Sequence, residues 1–327
     1  MNIQKPITIN QLTIKNRLVL PPMAVAKAGA SDEASDKVID YYSQRAKLGG
    51  IGLIITEHLY IHKQGKAHPG QMSIATDDTA GSFVRLTDAV HTEGVKIFAQ
   101  LSHAGTAASK SITGAVPVGP SPMFHPTQRK ELPEELTKDQ IQEIVRSFTD
   151  AAIRAKNAGF DGVEIHSAHG YLLNQFYSPL YNHRTDEYGC DTMENRIRIH
   201  LEIIRAIRGA MGADYPIAIR MGGCDYQEGG TSVTDTIEAC MLLEKSGVDL
   251  LDITGGMNGF IRPGHTEAGY FRDISTAVKK QVDIPVLLTG GVKSVEDAEV
   301  LLQEQCADMI GIGRVLLKNP QALHLSN

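Results

Sequence analysis

The chain has 327 residues, of which 42% are hydrophobic and 21% charged, with a formal net charge of −6. That is the composition of an ordinary globular protein, and an acidic balance with no block of lysines and arginines argues against a nucleic-acid partner. The four cysteines, Cys190, Cys224, Cys240 and Cys306, form no C-x-x-C pair, which points away from a disulfide framework, a zinc site or an iron–sulfur cluster.

The opening "MNIQKPITINQL" lacks the apolar core of a signal peptide, and no stretch of about 18 apolar residues occurs. A cytoplasmic location without a membrane span is therefore expected. "PITINQLTIKNR" alternates apolar and polar residues around Asn10, the pattern of a short hairpin. "RLVLPPM" reads as a strand and "SDKVIDYYSQRAK" as a helix opened by Ser or Asp. "GGIGLIITE" is a buried strand, followed by a helix near 78–93 and the strand "KIFAQLS". A loop from about 102 to 136, rich in Gly, Pro and Ser, interrupts this rhythm.

"TKDQ" at 137–140 spells a capping box and opens a helix to about 157, and "FDGVEIH" is the next strand. A long loop leads to a helix near 193–210, the strand "YPIAIRM" and a helix near 234–246. Then come "VDLLDIT", a helix near 270–281, "IPVLLTG", a helix near 294–304, "CADMIGIG" and a closing helix from 314.

Eight strands that are near-continuous apolar runs, each followed by a helix, predict a parallel sheet buried on both faces. The α/β fold expected is a (β/α)8 TIM barrel over 1–327 as one domain, with an N-terminal hairpin and long loops after the third and fourth strands. An open, doubly wound sheet is the alternative.

Polar residues gather at the strand ends, the rim where such barrels carry their sites. They are Pro22-Met23-Ala24, Glu57-His58, Gln100, His166 with His169, Arg220, Thr254-Gly255-Gly256, Gly290-Gly291 and Gly311-x-Gly313-Arg314. Glycines at the ends of the seventh and eighth strands let the backbone approach an anion, and the following helices offer free amides. With Arg314 as a forked donor, the two glycine-rich ends together favour a phosphate site over glycines that only fit tight turns. No G-x-G-x-x-G follows the first strand, so a Rossmann nicotinamide site is not expected. Arg220 ends an apolar strand and needs an anion, a carbonyl or a structural carboxylate to pair with. His166 and His169, with Tyr171 two residues on, could bind a metal, hold an anion or move protons. H-x-x-H is at most a partial ligand set, and no third histidine or cysteine accompanies it in sequence, so no metal is expected.

The stretch "HSAHGYLLNQFYSPLYNHRTDEYG", with "ENR" at 194–196, "IKNR" before the first strand, "AQLSHAG" at 99–105 and "GIGR" near the end, resembles the old yellow enzyme family of FMN-dependent ene-reductases. The resemblance covers nearly the whole chain. It implies a barrel that binds FMN without a covalent bond and is reduced by NADPH or NADH, with an electrophilic alkene as the small-molecule partner. Hydride then goes to the β-carbon of the alkene and a tyrosine protonates the α-carbon. By that resemblance His166 and His169 grip a carbonyl or nitro oxygen and Tyr171 is the acid. Arg220 faces the N1/C2 edge of the flavin, and Gln100 bonds its pyrimidine ring. Gly290, Gly291, Gly313 and Arg314 receive the phosphate, and Pro22, Met23 and Ala24 lie along the ring. "NHRTDEYG" is read as a structural loop.

Three positions depart from the family's pattern. Ala24 stands where threonine or cysteine is common, and the missing hydrogen bond is expected to make the flavin harder to reduce. Ala26 replaces a tyrosine of one bacterial branch. His58 replaces a small residue beside the flavin, where it either narrows the site or bonds the flavin O4. The sequence also lacks the longer tail, or the iron–sulfur extension, of some relatives, so a short form is expected, with assembly into a homo-oligomer left open. A flavin-free phosphate-binding aldolase or isomerase, and an FMN protein acting on another electrophile, stay open as alternatives.

Overall fold

Eight parallel strands close on themselves in the computed structural model, which describes residues 1–323. Leu18–Leu20 pairs with Leu53–Ile55, which pairs with Lys96–Ser102, followed by Gly162–Ser167, Ile217–Gly222, Leu250–Thr254, Val286–Thr289 and Met309–Gly311. Met309–Gly311 returns to Leu18–Leu20, so the sheet has no barrel edge and the open-sheet alternative is excluded.

The sequence dictates two cores. One side of each strand packs on the surrounding helices. The other fills the barrel with Val19, Leu53, Ile55, Phe98, Ala218, Leu250, Leu287 and Met309. The hairpin Ile7–Ile9 and Leu12–Ile14 adds Ile9 and Ile14 to this inner cluster and seals one end. Asn10 makes its turn at φ 54, a left-handed conformation that asparagine tolerates.

Because strand side chains alternate in direction, the residue two places on faces the same interior. Phe98 is thus followed by Gln100, Ala218 by Arg220, Leu250 by Asp252 and Leu287 by Thr289. The barrel changes from apolar to polar in one step, at the carboxyl ends of the strands.

Most of the expected elements are present, including the capping box of Thr137 and Gln140 on the helix Lys138–Asn157. Three expectations need correction. The helix expected near 78–93 is two, Asp77–Ala80 and Phe83–His91. Ser82 breaks it: its hydroxyl donates to the Thr79 carbonyl at 2.6 Å and accepts the Ala34 amide at 2.8 Å, competing with the helix ladder. The helix expected near 193–210 is interrupted at Ile197, between Met193–Arg196 and Arg198–Met211. The loop after the fourth strand holds an unexpected short helix, Leu172–Tyr177.

Candidate functional site

At the polar end of the barrel lies a cavity of about 780 Å³. Pro22, Met23, Ala24, His58, Gln100, His166, His169, Tyr171, Arg220, Gly290, Gly291, Gly313 and Arg314 all line it, whereas Glu57, Gly255 and Gly256 from the same strand ends do not.

The histidine–tyrosine wall is built by a reversal after the fourth strand. His169 and Gly170 both adopt left-handed backbone, at φ 58 and φ 75. A β-carbon on Gly170 would stand 2.5 Å from the His125 ring, so only glycine fits there. The next residues clamp the turn. Asn174 accepts the Gly170 amide at 2.9 Å, and Gln175 donates to the Gly170 carbonyl at 2.6 Å. This is why "HGYLLNQ" runs as it does: the asparagine and glutamine fix both peptide groups that aim His169 and Tyr171.

The two imidazoles lie 5.3 Å apart, centroid to centroid, and Tyr171 stands edge-on to His166 at 5.1 Å. Burial first, then the nearby imidazoles and Arg220, holds both histidines well below their usual range, so each is neutral with one N–H to offer. Burial pushes the Tyr171 phenol up to about 12, which keeps it protonated at neutral pH. His169 also touches the Thr254 hydroxyl at 3.1 Å, whereas the Nδ1 of His166 is buried without a partner.

Beneath this wall is a layer of buried charge. Arg220 Nε lies 3.2 Å from Asp252 Oδ2, the structural pairing left open by the sequence, yet the two are not aligned as a hydrogen bond. Thr289 donates to the other Asp252 oxygen at 3.1 Å. Gln100 donates to Glu164 at 2.7 Å, and the second Glu164 oxygen has no partner. Burial, reinforced by Asp252, raises the Glu164 carboxyl far above the usual range; burial raises Asp252 against the pull of Arg220.

At the glycine-rich end, packing and hydrogen-bond capacity both act. The helix after the seventh strand begins only at Val295, and its first turn is already capped. Ser294 accepts the Asp297 amide, and Asp297 accepts that of Lys293. These bonds take up the Asp297 amide of the first turn, whereas the Val295 and Glu296 amides make no hydrogen bond among the described residues. Packing also requires the glycines: Gly291 has φ 72, and a β-carbon on Gly313 would lie 2.8 Å from the Met23 sulfur. Glycine identity alone is therefore no sign of a phosphate. The amides of Gly313 and Arg314, however, make no hydrogen bond among the described residues. Arg314 has no carboxylate partner there and reaches only the Tyr270 hydroxyl, at 3.3 Å. The Gly290 amide likewise donates to nothing among the described residues, so the ends of the seventh and eighth strands both offer donors to the cavity.

Glu57 points away from the cavity and accepts the Val25 and Ala26 amides at 2.8 and 3.2 Å, fixing the segment that carries Met23 and Ala24. "NHRTDEYG" is structural: Asn182 donates to the Phe176 and Tyr188 carbonyls, and buried Arg184 pairs with Asp186 at 2.6 Å. Among the described residues no group of three or more His, Cys, Asp or Glu is arranged to hold a metal ion, and no helix is long and apolar enough to cross a membrane.

Sequence reading missed two residues beneath the wall and several that line the cavity. Asp252 and Glu164 were detectable, each lying two places before a noted strand-end residue and on its face. His68, His125, Met257 and Phe260 come from loops with no pattern to mark them. Asp225 ties the Met257 loop to the segments at Ser178 and Thr231, accepting the Ser178 hydroxyl, the Thr231 amide and the Met257 amide at 2.6, 2.9 and 2.8 Å.

Comparison with known proteins adds four likenesses. The model of the NADH:flavin oxidoreductase / NADH oxidase family matches residues 2–324. An NADH oxidase of Thermoanaerobacter brockii is 42% identical over 96% of this chain, but the match covers 48% of that protein. The chain thus spans about half the length of such relatives. Among solved structures, a 2-naphthoyl-CoA reductase in complex with 2-naphthoyl-CoA has a TM-score of 0.92 at 29% identity, covering 98% of this chain and 51% of its own. An old yellow enzyme homologue from Zymomonas mobilis has a TM-score of 0.85 at 28% identity, covering 98% of this chain and 90% of its own.

Proposed function

This chain belongs to the NADH:flavin oxidoreductase / NADH oxidase family, and from that premise we propose that it reduces the activated C=C bond of α,β-unsaturated carbonyl or nitro compounds with electrons from NADH or NADPH. The likeness to old yellow enzymes read from the sequence extends over the whole barrel, and FMN is the cofactor that goes with it. In this reading residues 1–327 act as one FMN-binding domain.

The cavity fits that cofactor on three features. Arg314 and the amides of Gly313 and Arg314 form a set of donors without partners that suits a phosphate. Gln100 and Arg220 put polar atoms where a flat ring needs edge contacts, and Pro22, Met23 and Ala24 supply an apolar face. When bound, FMN supplies hydride transfer between the nicotinamide and the guest.

The protein's own residues supply the rest. The observation that carries the reading is that two neutral imidazoles and one protonated phenol share a wall of the cavity that ends at Arg314. His166 and His169 donate to the carbonyl or nitro oxygen and draw charge off the alkene, an oxyanion-type effect of about 3 kcal/mol for each donor. Tyr171 delivers its proton to the α-carbon, and a general acid of this kind contributes roughly 10²- to 10⁴-fold. Arg220, paired to Asp252, favours negative charge on the ring edge. A flavin-free aldolase or isomerase is less well supported, because Glu57, its candidate base, spends its carboxylate on backbone amides outside the cavity.

The test is direct. The purified or FMN-reconstituted protein should be yellow, and its photoreduced form should be re-oxidised by an enone in stopped flow. Tyr171→Phe should slow that re-oxidation by roughly 10² or more while reduction by NADH or NADPH persists. A protein that takes up no FMN, or an unaffected Tyr171→Phe, rules the reading out.

A further inference from the structure

Tyr171 stands between two imidazoles. Its ring is edge-on to His166, as above, and edge-on to His58 at 5.4 Å. Of the two, His58 meets the hydroxyl: its Nε2 lies 3.4 Å from the phenol oxygen, a contact between residues 113 positions apart.

His58 is held in place from behind. Gln71 donates to its carbonyl at 2.9 Å while accepting the Ala67 amide at 2.7 Å. His68 packs edge-on against the His58 ring at 5.3 Å, and its own Nδ1 is committed to the Pro69 carbonyl at 2.9 Å. Burial, then His68 and Arg220, drives His58 down to about 3, so the ring is neutral and carries a single N–H.

Resting on the reductase reading, we propose that His58 is a positioning residue for the proton: its Nε2–H donates to the Tyr171 oxygen and leaves the phenol hydrogen free to face the guest. After hydride has reached the β-carbon, the Tyr171 O–H bond breaks and its proton forms the new C–H bond at the α-carbon. The electron pair stays on oxygen as phenolate. His58 keeps its proton but shares it with that oxyanion, and a solvent proton then restores the phenol. The hydride comes from the nicotinamide nucleotide, so the step balances without another reductant. The partner matters because Tyr171 sits where burial opposes a bare phenolate. A donor to a charged oxygen is stronger than one to a neutral oxygen, so the 3.4 Å contact gains most as charge develops.

The experiment compares wild type, His58→Leu, His58→Gln, Tyr171→Phe and the Leu/Phe double variant, each FMN-loaded and photoreduced, mixed with cyclohex-2-enone in H2O and D2O. Glutamine keeps an N–H donor of similar reach; leucine does not. His58→Leu should slow re-oxidation roughly 10- to 100-fold and raise the solvent isotope effect, and His58→Gln should regain most of the rate. In the Tyr171→Phe background, His58→Leu should cost almost nothing further, because the coupling runs through the hydroxyl. Equal losses in Leu and Gln, or an undiminished Leu effect without the hydroxyl, overturn the proposal in favour of simple packing. A wild type re-oxidised no faster than His58→Leu overturns it alone; a wild type that the enone does not re-oxidise removes the reductase reading and this inference together.

Discussion

Gln100 donates its side-chain amide to Glu164 across 2.7 Å, both inside the barrel, which leaves the Gln100 oxygen free for whatever occupies the cavity. Glu164 takes nothing else: its second oxygen is buried without a donor, and burial with Asp252 nearby keeps its carboxyl protonated. A glutamine imitates a neutral acid. Glu164→Gln should therefore stay within about 1 kcal/mol of wild type, whereas Glu164→Leu strands the buried Gln100 amide and should cost about 1–3 kcal/mol. Denaturant unfolding of the two variants decides it; similar losses in both mean that Glu164 is buried as a carboxylate.

Glu57 makes stability pH-dependent. Burial raises its carboxyl to about 7, against the opposing pull of the Ala26 and Val25 amides. A folded value above the unfolded one means a contribution fully present below the ordinary glutamate range and lost as pH rises toward 7. Wild type should lose thermal stability across that window more steeply than Glu57→Gln, whose oxygen can still accept both amides. Parallel melting curves from pH 4.5 to 7 would remove Glu57 as the cause.

Arg314 should discriminate phosphate. Replacing it by glutamine removes a charge-assisted donor and should weaken FMN binding by about 1.5–3 kcal/mol. Riboflavin, which has no phosphate, should lose little. Fluorescence titration of both flavins gives the contrast, and an equal loss for the two would move the phosphate elsewhere.

Ala24 presents only a methyl group to the cavity. If the family's usual hydrogen bond is missing there, Ala24→Cys should make the bound flavin easier to reduce, seen as a higher midpoint potential in a spectroscopic redox titration. An unchanged potential assigns no redox role to the position.

Strand content was legible from apolar runs because a strand buried on both faces tolerates little else, and the closed barrel followed from eight repeats of one unit. Gln100, His166 and Arg220 were legible as candidate site residues because polar groups at the ends of apolar strands stand out, and all three line the cavity. The helix breaks at Ser82 and Ile197 were not. The competing hydroxyl bonds of Ser82 go partly to Ala34, a partner remote in sequence, and the Ile197 interruption carries no local signal.

By itself, then, the sequence determined the barrel, the rim on which the chemistry gathers and the identity of the histidine–tyrosine wall, all of which depend on periodicity and local motif. Only the tertiary structure decided what each group faces: Asp252 against Arg220, Glu164 against Gln100, and His58 against the Tyr171 hydroxyl. Those pairings join different strands and loops, and the protonation states that follow from them depend on burial. Burial is a property of the closed fold, which no local stretch of sequence contains.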